Sequence, residues 1–104
     1  MDIIKNLETL IAGGQDSALL RYSLGNENVK LKKFAAALEH LARAVDLDPG
    51  YSAAWKLYGR TLAENNQVAD AIKAYEQGLA VAEKKGDIQA AREIKVFLKR
   101  LKKK

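Results

Sequence analysis

Residues 46–62 read Asp46-Leu47-Asp48-Pro49-Gly50-Tyr51-Ser52-Ala53-Ala54-Trp55-Lys56-Leu57-Tyr58-Gly59-Arg60-Thr61-Leu62. Pro49 cannot donate to a helical ladder and biases Asp48 away from helical angles, so the apolar-periodic run that reaches Val45 stops here. Trp55, Tyr58, Gly59 and Leu62, spaced three and four apart, carry a new helix. The stretch is a joint, and its register extends in both directions.

Displacing the chain by 34 residues lays Leu24-Gly25 on Tyr58-Gly59, Phe34 on Val68, Ala37-Leu38 on Ala71-Ile72, Leu41 on Tyr75, Ala44 on Gly78 and Val45 on Leu79. A period of this length marks stacked helical units. Gly25, Gly59, Ala37, Ala71, Ala44 and Gly78 recur where packed helices approach closely and a larger side chain would force them apart.

Each copy divides into two helices. The first copy has one from Ser17 to about Lys30, a turn near Leu31-Lys32-Lys33, and one carrying Phe34, Ala37, Leu38, Leu41, Ala44 and Val45. The second has Ser52 to Glu64, the turn Asn65-Asn66, and a helix from Val68 that meets no proline. That helix is expected to run to Gly86, suited to a left-handed C′ position, with Asp87 capping the next. Ile3, Ile4, Leu7, Leu10 and Ile11 lie 34 residues before Ala37, Leu38, Leu41, Ala44 and Val45, which makes the N-terminal helix a half-copy ended by Gly13-Gly14. Ile94, Phe97, Leu98 and Leu101 repeat the spacing of Trp55, Tyr58, Gly59 and Leu62 at an offset of 39. The expected fold is all-α, about six helices in one domain: an N-terminal helix over 1–13, repeats over 17–50 and 51–86, and a capping helix with a basic tail over 87–104.

A chain of 104 residues buries roughly 60–68% of its unfolded surface and needs no metal or disulfide to fold. It has no cysteine, hence no disulfide framework, thiol nucleophile or thiolate metal site. Asp2 and Glu8 interrupt what a signal peptide would need, and no apolar run approaches a membrane span, so the expected location is cytoplasmic. The net charge of +5 is uneven. From Arg92 onward seven Lys and Arg face only Glu93, giving +6, and everything before sums to −1. Such asymmetry points to an anionic partner, or to a solvated helix end whose cations oppose the macrodipole.

Residues for catalysis are missing. His40 is the one histidine, on the side of its helix away from Leu38, Leu41 and Val45, and is expected in solvent. No Gly-rich loop follows a strand, and Asp46 and Asp48 punctuate a helix end. The chain is read as no enzyme, with no metal and no cofactor. Trp55, Tyr58 and Tyr75 have core spacing, whereas Tyr22 is out of phase with Leu20 and Leu24 and is a candidate contact.

Trp55, Tyr58, Gly59, Leu62, Ala71 and Tyr75 resemble the tetratricopeptide repeat pattern W-x₂-L-G-x₂-Y, A-x₃-F, P, with Glu83 at the proline position. Arg21, Leu24, Gly25, Asn28, Ala37, Leu41 and Pro49 resemble it in the first copy, with Arg21 and Asn28 in place of large residues. The resemblance implies a right-handed α-α superhelix in which the first helix of each hairpin lines a concave face and the second lies outside. Counting past the buried residues puts Lys56, Leu57, Arg60 and Glu64 on that face. The same offset gives Tyr22, Ser23, Asn26 and Lys30 in the first hairpin, and Arg92, Lys95, Val96, Lys99 and Lys103 in the last helix.

The groove so read is basic, with Tyr22, Leu57 and Val96 as apolar spots. It suits a non-catalytic adaptor holding an acidic or C-terminal peptide segment of another protein through Tyr22, Asn26, Lys30, Lys56, Leu57, Arg60, Arg92, Lys95, Val96 and Lys99. Members of the family that clamp a chaperone's terminal carboxylate use a Lys/Asn/Asn/Lys/Arg set. Asn26 and Arg92 match two of its positions, while Tyr22, Leu57 and Val96 replace the others, implying a different acidic ligand. One alternative is nucleic-acid binding through Lys99, Arg100, Lys102, Lys103 and Lys104. Another is a homo-oligomer covering Ile4, Leu7 and Ile11.

Overall fold

Helix signals and stop signals alternate along the chain, and the computed structural model, which describes residues 2–103, resolves them into six α-helices with no strand among those residues. Lys104 of the basic tail lies outside the described residues. The helices are α1 (Ile3–Ala12), α2 (Ala18–Lys30), α3 (Phe34–Leu47), α4 (Ser52–Glu64), α5 (Val68–Lys85) and α6 (Ile88–Lys102). The all-α helical-repeat expectation holds.

Local chemistry explains the ends. Ser17 Oγ accepts from the Leu20 amide at 3.2 Å, and Asp87 Oδ1 accepts from the Ala90 amide at 3.1 Å, satisfying first-turn donors that have no partner in the helix. Gly86 sits at φ 73°, and the Asp87 amide reaches back to the Ala82 carbonyl at 2.8 Å, the six-to-one bond of a Schellman end. The turns inside the two hairpins are copies of each other. Lys32 (φ 57°) and Asn66 (φ 62°), 34 residues apart, are both left-handed, and each is followed by an amide bonded to the carbonyl five residues back, Lys33 to Asn28 and Gln67 to Leu62.

Consecutive helices pack on each other, and α4 also touches α2 and α6. The other layer behaves differently: no Cα of α3 comes within 8 Å of α1 or of α5. A stack whose alternate helices touch on one side and part on the other must curve toward the touching side, so α2, α4 and α6 line the inside. The same curvature opens clefts between α1, α3 and α5.

Close approach within each hairpin depends on small residues. A Cβ on Gly59 would lie 2.7–2.9 Å from ring carbons of Tyr75, and one on Gly25 2.6 Å from Leu41 Cγ. Tyr75 is 2% exposed and stacks on Phe97 with centroids 5.5 Å apart. Burial pushes its phenol up to about 12. Trp55 and Tyr58 pack on the core from half-buried positions, and the Trp55 indole donates to the Pro49 carbonyl at 2.8 Å. Ile4, Leu7 and Ile11 are half-buried against α2, the only helix that α1 touches, whereas Ile3 and Leu10 are exposed.

His40 is not solvated as its helix position suggests. Arg21, standing where the second copy has Trp55, makes two bonds to Asp16 at 2.8 and 3.1 Å and donates from Nη1 to His40 Nδ1 at 3.1 Å. Arg43 adds a third cation contact to Asp16 at 3.7 Å. The hydrogen bond from Arg21, with its charge and that of Arg43, lowers the Asp16 carboxyl. Because a guanidinium only donates, His40 must accept and be neutral there. Burial, followed by the charge of Arg21, lowers its pKa below 6.5.

Two outcomes follow from this packing. In Gly59→Ala the methyl meets a ring that cannot move, an overpacking cost of about 1–3 kcal/mol; the gain in helix propensity offsets at most about 1 kcal/mol. The net loss of about 1–2 kcal/mol should lower the melting midpoint by roughly 4–15 °C, measurable by thermal circular dichroism. For His40, the unfolded state binds a proton at about pH 6.5 that the folded state takes up only at lower pH. Stability should therefore fall as the pH drops from 6.5 toward the folded pKa. Urea unfolding at pH 7.5 and 5.5 should show this loss in the natural chain and a smaller one in His40→Gln, whose amide oxygen can still accept from Arg21.

Candidate functional site

The concave face is built from whatever α2, α4 and α6 do not bury. On α4 the buried surface is wide, because that helix serves two neighbours. Ala54, Leu57 and Thr61 face α3, with Leu57 packing on Ala37 and Leu41, while Trp55, Tyr58, Gly59 and Leu62 face α5. By helical period this leaves Ala53, Lys56, Arg60, Ala63 and Glu64 for the groove. Leu57, expected as an apolar spot in the groove, is instead 8% exposed and belongs to the core.

The last helix also differs from its expected register. Ala91, Ile94 and Leu98 are the buried residues that match Ala54, Leu57 and Thr61, an offset of 37 and not 39. The apolar stripe of α6 packs backward on α5, since no later helix lies among the described residues. A stripe at three-and-four spacing looks the same whichever neighbour it serves. Arg92, Lys95, Val96 and Lys99 consequently stand at the positions of Trp55, Tyr58, Gly59 and Leu62, on the end of the stack and out of the groove. Arg92 and Lys95 line a hollow with Glu83, Ile88 and Ala91, and Lys95 pairs with Glu83 at 3.5 Å. On α6 it is Glu93 that takes the groove position equivalent to Lys56, whereas Ala90 is buried with Ala82 and Ala91 and Phe97 stacks on Tyr75.

What meets on the concave face is therefore Tyr22, Asn26 and Lys30 from α2, Lys56 and Arg60 from α4, and Glu93 from α6. Tyr22 is half-buried, its ring 5.1 Å from that of Tyr51 and tilted by 37°, so it joins α2 to the start of α4 as well as edging the groove. The cations are paired. Lys30 meets Glu27 at 2.8 Å, Lys56 meets Glu93 at 2.9 Å and Arg60 meets Glu64 at 2.8 Å. The expectation of a strongly basic groove is replaced by one in which each of these cations already holds a carboxylate. Ser52 Oγ donates to Asp87 Oδ2 at 3.0 Å, fixing the start of α6 against α4 and with it the Lys56–Glu93 bridge. The groove role of Glu93 was missed because the offset of 39 turned it out of register.

Among the described residues there is no cluster of three or more His, Cys, Asp or Glu able to hold a metal ion, and no helix is long and apolar enough to cross a membrane.

Comparisons with known proteins agree with the architecture. The family profile described as tetratricopeptide repeat matches residues 29–94. A TPR repeat-containing protein of Pseudomonas aeruginosa is 46% identical over 99 residues, covering 95% of this chain and 94% of that one. The solution structure of a Bordetella parapertussis protein superposes with a TM-score of 0.85 at 45% identity, over 99% of this chain and 90% of the other. The crystal structure of a tetratricopeptide repeat domain protein from Salinibacter ruber gives 0.78 at 25% identity, over 84% and 97% of the two chains. With the 34-residue hairpin, its glycine contacts and its repeated turn already in hand, these likenesses settle the family: the chain belongs to the tetratricopeptide repeat proteins.

Proposed function

We propose that the chain is a non-catalytic adaptor of the cytoplasm that takes an acidic or C-terminal segment of a partner protein into the concave face of α2, α4 and α6. Tetratricopeptide repeats generally mediate protein–protein interaction and are generally not catalysts. The observation that carries the finer reading is the pair Lys56 and Arg60, one turn apart on α4. Each already grips a carboxylate of the chain, Glu93 at 2.9 Å and Glu64 at 2.8 Å, in the geometry that a ligand carboxylate would adopt.

Both ion pairs are partly solvent-exposed, so each contributes only about 0.2–1 kcal/mol. A peptide carboxylate can displace Glu93 or Glu64 at little loss. Tyr22 and Asn26 then offer an aromatic edge and an amide to the next part of the segment. The cations of α6 support a nucleic-acid reading less well. Glu83 and Glu76 pair with Lys95 at 3.5 Å and Lys102 at 3.4 Å, so carboxylates alternate with cations along the edge a phosphate backbone would follow.

The test is affinity capture from native lysate, followed by titration of the captured partner. Lys56→Glu combined with Arg60→Glu should keep the helical circular dichroism and abolish capture. Glu93→Gln, which frees Lys56, should tighten binding by about 1.4–5-fold, the equivalent of one exposed pair. Capture that survives the double charge reversal, or a Glu93→Gln variant that binds more weakly, removes the concave assignment.

A further inference from the structure

The outer surface of the stack differs between the two copies at equivalent positions. Between α1 and α3, Asp16, Arg21, His40 and Arg43 form the bonded cluster described above. Thirty-four residues later the same positions are Gly50, Trp55, Ala74 and Gln77. Nothing charged stands in their place, and the cleft between α3 and α5 stays open. Its floor is Trp55, Tyr58 and Leu62, and its α5 wall includes Asp70, Lys73 and Gln77, around a cavity of about 270 Å³. The two floor aromatics have centroids 6.2 Å apart and are tilted by 43°, both half-buried. From the α3 side Leu38 packs against the cluster formed by Leu62, Ala71 and Ala74.

A second hollow of about 470 Å³, lined by Pro49, Gly50, Val81, Lys84 and Lys85, lies farther along α5. Trp55 lines the first, and its indole N–H is fixed on the carbonyl of Pro49, a residue that lines the second. From Asp70 to Lys84 the α5 wall is roughly 21 Å long at 1.5 Å per residue, the span of about six extended residues. Lys73, Lys84 and Lys85 are exposed, and none forms an ion pair among the described residues. Asp70 is the one acid lining either hollow. An aromatic floor beneath a cationic rim has the chemistry to receive an apolar side chain flanked by carboxylates.

We infer that the cleft between α3 and α5 is a second peptide-docking site, on the convex surface and independent of the concave one. It takes an extended acidic segment that seats one aromatic or large aliphatic side chain on Trp55 and Tyr58 and meets Lys73, Lys84 and Lys85 with its carboxylates. The first cavity holds one side chain and is below the usual size of a cofactor site. The first copy cannot offer the same site, because Arg21 and its partners occupy the equivalent floor.

Trp55 is the only tryptophan, so its fluorescence reports the cleft directly. The probe is a terminally blocked hexapeptide of five glutamates and one central phenylalanine, titrated into the full chain. A saturable change in Trp55 emission below about 1 mM is expected. Lys84→Glu with Lys85→Glu, both exposed positions, should weaken it by roughly tenfold or more. Lys56→Glu with Arg60→Glu should leave it unchanged, which keeps this site distinct from the concave one. The inference is overturned if emission shows no saturable change, if a peptide with lysines for glutamates or a proline-rich hexapeptide acts equally well, or if the concave double variant removes the effect.

Discussion

At Gly59 a Cβ atom would stand 2.7–2.9 Å from the ring of Tyr75, so only a bare backbone allows α4 and α5 to lie as close as they do. Gly25 does the same against Leu41 in the first hairpin, and a Cβ on Gly78 would lie 2.8 Å from Trp55 Cβ and 3.3 Å from Ile94 Cδ1. The rest of the molecule depends on this approach. With each hairpin pressed flat, α4 can reach α2 and α6 on one side, and the outer helices are left more than 8 Å apart on the other. Groove and outer clefts are therefore two results of one packing constraint. Moving the hairpin helices apart would change both surfaces at once.

That constraint explains which parts of the architecture can be read from residue order. Small residues at Gly25, Gly59, Ala37, Ala71, Ala44 and Gly78 are demanded by sterics, so they recur at the 34-residue period and reveal the hairpin. Pro49, Gly86 and Asp87 act within a few residues of themselves and mark helix ends just as legibly. Surfaces are another matter. Leu57 falls past the stripe that serves α5 but within the one that serves α3, and a single chain does not say how many neighbours a helix has. The α6 stripe has the same ambiguity: Ile94 and Leu98 match Leu57 and Thr61 at an offset of 37 and not 39, and that shift turns Arg92, Lys95, Val96 and Lys99 out of the groove. Ion pairs joining distant residues, Lys56 with Glu93 or Arg21 with His40, have no signal in spacing at all.

Positions that packing does not fix are where the copies diverge. Arg21 and Trp55 occupy the same place and solve it oppositely, one with a bonded polar cluster and the other with an indole whose N–H is satisfied by the Pro49 carbonyl. Both solutions leave the backbone alike: the hairpin turns carry φ of 57° at Lys32 and 62° at Asn66. A fold that tolerates either choice exerts no pressure to choose, so the choice is free to follow what the surface must meet. Within one chain this comparison of copies separates structural residues from those available for recognition.

The same reasoning gives the concave face a direction. Tyr22 on α2 stands at the position of Lys56 on α4, Asn26 at that of Arg60, and Glu93 on α6 takes the place of Lys56 once more at the offset of 37. Passing along the stack, equivalent inward sites run from neutral and aromatic to cationic to anionic. The bridge from Lys56 to Glu93 at 2.9 Å joins the last two steps. A groove of one uniform charge would accept an acidic segment in either orientation. In this one, reversing the segment would bring its carboxylates to Glu93 and its apolar part to Lys56, and like charges brought together raise the energy wherever solvent does not screen them. On the proposed reading, the order of side chains along α2, α4 and α6 would select orientation as well as charge, and the glycine-set spacing of the helices places those side chains in sequence.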